Sequence, residues 1–395
     1  MQLGYCTNIH PGETADELVA AIDRHVGNVR ASVSPRASMP VGLRVSAEAA
    51  RTLQRGSERE RLCDALVNAG AHAFTINGFP YGRFHGTRVK DAVYRPDWRE
   101  PARLAYTRDL VELAAAIAPV ELEPSISTVP GGFAPDLAAS DRERIAAALI
   151  ELAAELWQRR ESSGRTIAIA LEPEPACMLE TIAQTVEFFA EHLHGPTAIV
   201  EMVRRTGLSP SEAEQALRRH LGVCLDACHA AVEFEDPRGC VVTLLDAGIR
   251  IAKVQVTAGL ELAPTAESIA ELRRYDDPTY LHQTVARNDT GLVRHVDLPA
   301  AFAAFDIGQA GELWRVHFHV PVFMAELGVF RSTQAFLADL LDEVLRREAC
   351  DQLEVETYTW DVLPPEHRVD AVEQAIAREL QWTSARVEVL SSARG

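Results

Sequence analysis

The chain has 395 residues, 47% hydrophobic and 24% charged, with a net charge of -18. This is enough apolar material for a full-size core, but the acidic field repels a nucleic-acid backbone. Lys90 and Lys253 are the only lysines and no Lys/Arg run forms a basic groove. No apolar run approaches the roughly 20 residues of a membrane span. The opening MQLGYCTNIHPG lacks the charged and apolar regions of a signal peptide. Seven irregularly spaced cysteines, with three residues between Cys224 and Cys228, read as reduced thiols rather than a zinc ribbon. The expected setting is cytoplasmic.

Strand-like and helical runs alternate along the chain. LGYCTNI is the first strand, followed by a helix with a Thr14-to-Glu17 capping box. VGLRVS is the second, then two helical stretches, one opening on a Ser57-to-Glu60 box. AFTINGF is the third, separated by a long Gly- and Pro-containing loop from ARLAYTRDLVELAAAIA. SISTVP comes next, with a helix behind a Ser140-to-Glu143 box, and TIAIALEPEP is the fifth strand. An extra helical pair follows, in which Ser209 caps and Pro210 occupies the first turn. LGVCLDACH, RIAKVQVT and DQLEVETYTW complete a set of eight strands.

This order predicts parallel βαβ units closing as a single (β/α)8 TIM barrel. The expected domain spans 1–382, with inserted helices near 195–220 and an extension over 258–330 between the seventh and eighth strands. Within that extension YLHQTVA and LVRHVDL suit a hairpin. Residues 383–395, rich in Ser and Arg, read as a flexible tail.

In such a barrel the C-terminal strand ends converge on the active site, and here they carry chemistry. Glu172 leaves a fully apolar strand in LEPEP, and a carboxylate there is costly to bury unless paired or metal-bound. Glu174, across Pro173, is expected to face away. In LDACH, Asp226 and His229 sit three apart and project together if the turn is helical. In HFHVP, His317 and His319 fall on one face of an extended segment. Glu356 in LEVETYTW lies nearer the mouth than Glu354. Carboxylates with imidazoles suit one divalent ion, Zn, Mn, Fe or Co. Gln255, a weaker ligand, is expected to orient a water or a substrate hydroxyl. Lys253 shares its face, adding charge near the site or supporting the lower barrel. Asn77, Tyr81, His85 and Arg88 come from a shaped loop suited to a polyol or a ring. No P-loop, serine elbow or nucleotide fingerprint is present.

A Glu ending strand five, D-x-x-H after strand six, an H-x-H segment and a Glu ending strand eight resemble the xylose-isomerase-like TIM barrels. That superfamily includes sugar isomerases, ketose epimerases, inosose dehydratases and endonuclease IV. Longer phrases, among them GYCTNIHPGET, FTINGFPYGRFHGTRVK, SISTVPGGF, CHAAVEFEDP, YLHQ and HFHVP, resemble the EboE metabolite-traffic proteins. The resemblance implies Glu172, Asp226, His317 or His319, and Glu356 as metal ligands. It implies Glu172, Glu356 and His229 as catalytic, with His229 binding substrate or a second metal. Asn77, His85, Lys253, Gln255 and His282 are the expected substrate-binding set. Gln255 stands where many relatives have a metal-binding His, and Ser125, Ser127 and Thr128 stand where the endonuclease has a His. The expected function is a metal-dependent isomerase or epimerase acting on a polyhydroxylated or carbonyl-bearing small molecule. A non-catalytic metabolite carrier and an endonuclease IV-like phosphodiesterase are the alternatives. Other Ebo-operon proteins are the implied partners.

Overall fold

Eight short strands alternate with helices around one closed ring in the computed structural model, which describes residues 1–34, 36–86, 88–360, 363 and 371–392. Seven of them precede the long extension: β1 (Gln2–Cys6), β2 (Met39–Arg44), β3 (Ala71–Asn77), β4 (Ser125–Thr128), β5 (Ala168–Leu171), β6 (Leu221–Asp226) and β7 (Arg250–Val256). The extension carries β8 (Leu260–Leu262), β9 (Thr284–Asn288), β10 (Gly291–His295), β11 (Leu313–Val316), β12 (Glu326–Leu327) and β13 (Phe330–Ser332). The eighth barrel strand is β14 (Gln352–Val355). Every barrel pairing is parallel, in the order β1-β14-β7-β6-β5-β4-β3-β2. The fold is a (β/α)8 TIM barrel.

The strands are buried on both faces, which is why they read as apolar runs rather than alternating ones. β5 (AIAL) is wholly buried, as are β4 and β14. Register then decides which polar residues share a level. Asp226 of β6 is opposite Gln255 of β7, which is opposite Glu354 of β14. A register shift between Val223 and Cys224 sets the first of these pairings. Gly42 makes room for Glu354, because a Cβ there would lie 1.5 Å from its Oε1.

The extension folds as a six-stranded antiparallel sheet, β10-β9-β11-β8-β13-β12. The expected hairpin is β9–β10, with Val293 opposite Ala286. The extra helical pair is Pro196–Thr206 and Pro210–His220, the second with its Ser209–Glu212 capping box in place. The Thr14–Glu17 box also forms.

Three local expectations are corrected. Ser57 is no cap, because the helix already starts at Gly56 behind Arg55. Ser140 has helical angles (φ -66, ψ -16), and its side chain does not cap; a capping residue needs an extended backbone. Residues 383–392 are not a loose tail. They continue the helix Val372–Ser392, where Thr383 is fully buried and Arg386 pairs with Asp342 at 2.9 Å; residues 393–395 lie outside the described residues. Among the described residues no helix is long and apolar enough to cross a membrane.

Candidate metal centre and pocket

Three carboxylates arrive at the C-terminal mouth from three strands. Glu172 follows β5, Asp226 ends β6 and Glu356 follows β14. They are 4%, 2% and 4% exposed, and each offers an oxygen within 4.8 Å of the others'. Asp226 caps the short helix Ala227–Val232, so its Oδ1 accepts from the His229 amide and from Thr257 Oγ1, both at 2.8 Å. That helical turn is what brings His229 round beside it. Glu172 Oε2 and Asp226 Oδ2 have no hydrogen-bond partner. Glu356 is held by Asn8 Nδ2 at 2.5 Å, by Asn77 Nδ2 at 2.6 Å and by the Gln255 amide. Burial, followed by the charge of Glu356, pushes the Glu172 carboxyl well above its usual range. Burial, then Glu354, does the same to Glu356.

Three imidazoles border these carboxylates, and their outer nitrogens fix their tautomers. His229 Nδ1 lies 3.0 Å from the Pro173 carbonyl oxygen, and His319 Nδ1 lies 2.5 Å from that of Glu356. A carbonyl only accepts, so both Nδ1 atoms carry the proton. His317 Nδ1 lies 2.8 Å from Gln283 Oε1. That amide is oriented by its own Nε2, which donates to Tyr94, Glu174 and the Pro175 carbonyl. His317 Nδ1 is therefore also the donor. The three Nε2 lone pairs then face one another, with His317 Nε2 3.2 Å from that of His229 and 3.3 Å from that of His319. Acceptors facing acceptors repel unless a cation lies between them. Burial, then the neighbouring imidazoles, holds His317 well below its normal pKa. Burial lowers His319 to about 4.

Ligand-type atoms also come together as Asp226 with His229 and His319, Glu174 with His229 and His317, and Cys228 with His317 and His319. Unpartnered carboxylate oxygens next to inward-facing imidazole lone pairs fit a divalent cation with N/O ligands. Glu172, Asp226, Glu356 and the three histidines are the groups that would hold it.

The remaining expected residues are placed as follows. Asn77 lines the pocket and grips Glu356. Gln255 is fully buried below Glu356, its Oε1 accepting from Cys224 Sγ. Lys253 is fully buried deeper in the barrel, bonded to Ser127 and Glu354. His282 sits behind His317, with one nitrogen 3.1 Å from that residue's carbonyl oxygen and the other 2.5 Å from Asp277. His85 lies 2.6 Å from the Asn8 carbonyl oxygen and 3.2 Å from the Tyr280 hydroxyl. None of these four lines the pocket; they stand behind its wall. Glu174 is corrected in the opposite sense. It turns into the pocket, accepting from Tyr94 at 2.6 Å and Gln283 at 2.9 Å. Strand alternation across Pro173 does not hold, because the strand has ended at Leu171. Asn8, Tyr94 and Gln283 went unread; Asn8 alone had a signal, its place just beyond the first strand.

The pocket above this centre opens to solvent. Its floor is Glu172, Glu174, His229, His317, His319 and Glu356, and its wall is largely aromatic and aliphatic.

No protein-family model matches the chain, and no curated protein does. Solved structures do. A D-tagatose 3-epimerase-like protein is similar at TM-score 0.51 and 11% identity, with 100% of both chains covered. A xylose isomerase domain protein from Alicyclobacillus acidocaldarius subsp. acidocaldarius has TM-score 0.48 and 12% identity, with 99% of each chain covered. The IOLI protein, solved with a binding zinc atom, has TM-score 0.45 and 13% identity, again with 99% of each covered. At these identities the likeness concerns the fold alone, and with the closed parallel ring it gives this chain a (β/α)8 TIM barrel.

Proposed function

We propose that the chain is a divalent-metal-dependent enzyme of the isomerase or epimerase type, moving a proton next to the carbonyl of an oxygen-rich small molecule. The observation that carries this reading is the meeting of Glu172, Asp226 and Glu356 beside three inward-facing imidazoles, at the base of a pocket lined by Glu172, Glu356 and those histidines. A bound divalent cation supplies Lewis-acid polarisation of the carbonyl. Glu172, whose Oε2 has no partner, takes a proton from the neighbouring carbon. Glu356, fixed by three amide donors, returns one. Burial raises both carboxyls, so each holds a proton more readily than an exposed glutamate does. His229 and Glu174 orient the substrate oxygens.

The test is elemental analysis of the purified protein together with solvent-deuterium incorporation into ketoses. Asp226→Asn is expected to lose bound metal by tenfold or more in affinity with the fold intact. Glu172→Gln is expected to keep metal and lose deuterium exchange. Protein without stoichiometric metal, or exchange indifferent to chelation, would sink the reading.

We read the EboE-like phrases as a pointer to metabolite processing, and Gln255 in place of a His supports a second reading, a barrel that binds and hands on its ligand. A tight ligand without turnover supports that one. The phosphodiesterase alternative is disfavoured by the net charge of -18 and by a pocket whose described lining holds one cation, Lys90.

A further inference from the structure

The pocket is segregated in a way that a simple sugar does not need. Phe84, Val89 and Tyr280, with Val93 and Tyr358 against them, form an apolar cluster separate from the principal core. All five line the pocket. Phe84, Tyr280 and Tyr358 stand 5.1 to 5.3 Å apart, ring centre to ring centre. Tyr358 lies 4.6 Å from the His319 ring, so the apolar wall begins one ring away from the candidate metal centre.

The wall is also held in place. Glu13, paired to Arg44 at 2.6 Å, accepts the backbone amide of Phe84 at 2.8 Å. His85 bonds to the carbonyl of Asn8, whose side chain grips Glu356. Wall and floor thus share one hydrogen-bonded frame, the arrangement that preorganises a binding site. A molecule with hydroxyls on every face would lose water against Phe84, Val89 and Val93, which offer no polar side-chain partner, at a cost per hydroxyl. A molecule with an apolar half would gain from burying it.

We propose that the substrate is amphipathic: an α-hydroxy ketone or vicinal diol directly attached to an aromatic or alicyclic ring. Its two oxygens face the carboxylate and imidazole floor, which rests on the functional reading above, and its ring stacks among Phe84, Tyr280 and Tyr358.

The experiment is calorimetric titration of the metal-loaded full chain with 2-hydroxyacetophenone and with dihydroxyacetone, which shares the same oxygen head without the ring. The aryl probe is expected to bind at least tenfold more tightly. Phe84→Ala and, separately, Tyr280→Ala are expected to bring its affinity to within about threefold of dihydroxyacetone. Circular dichroism and metal content, both at the parent level, show that the variants are folded. Equal or tighter binding of dihydroxyacetone overturns the proposal, as does an aryl preference that survives both substitutions. The same titration on metal-free protein separates the two ideas. An aryl preference that persists there and depends on Phe84 leaves the apolar wall standing while the metal reading fails. Metal-dependent exchange on ketoses with no aryl preference does the reverse.

Discussion

Lys253 shows what a single buried charge does in a barrel. Its Nζ is 2.6 Å from Glu354 Oε2 and 3.0 Å from Ser127 Oγ, with both charged side chains fully buried. Burial works against the ammonium, but Glu354 and the other charges outweigh it and hold it well above its normal range. Breaking such a pair leaves a charge stranded in low dielectric, whereas replacing both partners by apolar groups is often neutral. Lys253→Met should therefore cost about 3–5 kcal/mol. Lys253→Met with Glu354→Leu should recover most of that, read from urea unfolding midpoints at constant slope. A double variant as weak as the single one would show that Lys253 acts by its shape. The sequence made part of this legible. A spacing of two puts Lys253 and Gln255 on one face of their strand. It gives no depth, and depth decides that Lys253 supports the lower barrel while Glu356, one step on from Val355, reaches the pocket. Glu174 failed for the complementary reason: past Leu171 the strand has ended, and a period of two has no meaning there.

At the scale of elements, caps and strand ends were readable wherever local geometry decides them. Thr14 and Ser209 sit on extended backbone and cap as their spacing says; Ser140, on helical backbone, cannot. The C-terminal helix Val372–Ser392 was misread beyond 382 because its evidence is tertiary, in the burial of Thr383 and the contact of Arg386 with Asp342. This helix also brings in Glu379, fully buried, which accepts from Thr357 Oγ1 at 2.6 Å and from the Val322 amide at 3.1 Å. Its Oε2 has no partner. Burial raises its pKa to about 8. A carboxyl with a raised folded pKa binds more protons folded than unfolded, so its contribution falls as pH rises from about 4.5 to about 8. The slope is at most about 1.4 kcal/mol per pH unit. Glu379→Gln keeps the shape without the charge. It should flatten the pH dependence across that window and raise the melting temperature at pH 9. Parallel pH profiles for the parent and the variant would mean that Glu379 is ionised throughout.

The whole molecule joins a barrel whose strand order was readable to a sheet whose role was not. Alternation of strand and helix dictates the ring, since parallel strands need crossovers and each crossover here is helical. The six-stranded sheet was visible only as a β9–β10 hairpin, because pairings such as Trp314 with Leu262 span 52 residues and no local pattern encodes them. That sheet delivers His317 and His319 to the barrel carboxylates. Protein contacts already tie the segment down: the Val320 amide donates to Ala258, and Thr359 Oγ1 donates to the His319 carbonyl. A cation held by Asp226 from the barrel and by His317 or His319 from the insertion would add a link between the two. At a hundred times its dissociation constant it would stabilise the bound state by about 2.7 kcal/mol. Because the ligands come from both parts, amides of β9, β10 and β11 should gain hydrogen-exchange protection together with those of β5 and β6. Exchange measured with and without zinc reads this directly, and Asp226→Asn should remove the gain in both places. Protection gained in the barrel alone would mean that the histidines are not ligands and that HFHVP is a structural segment.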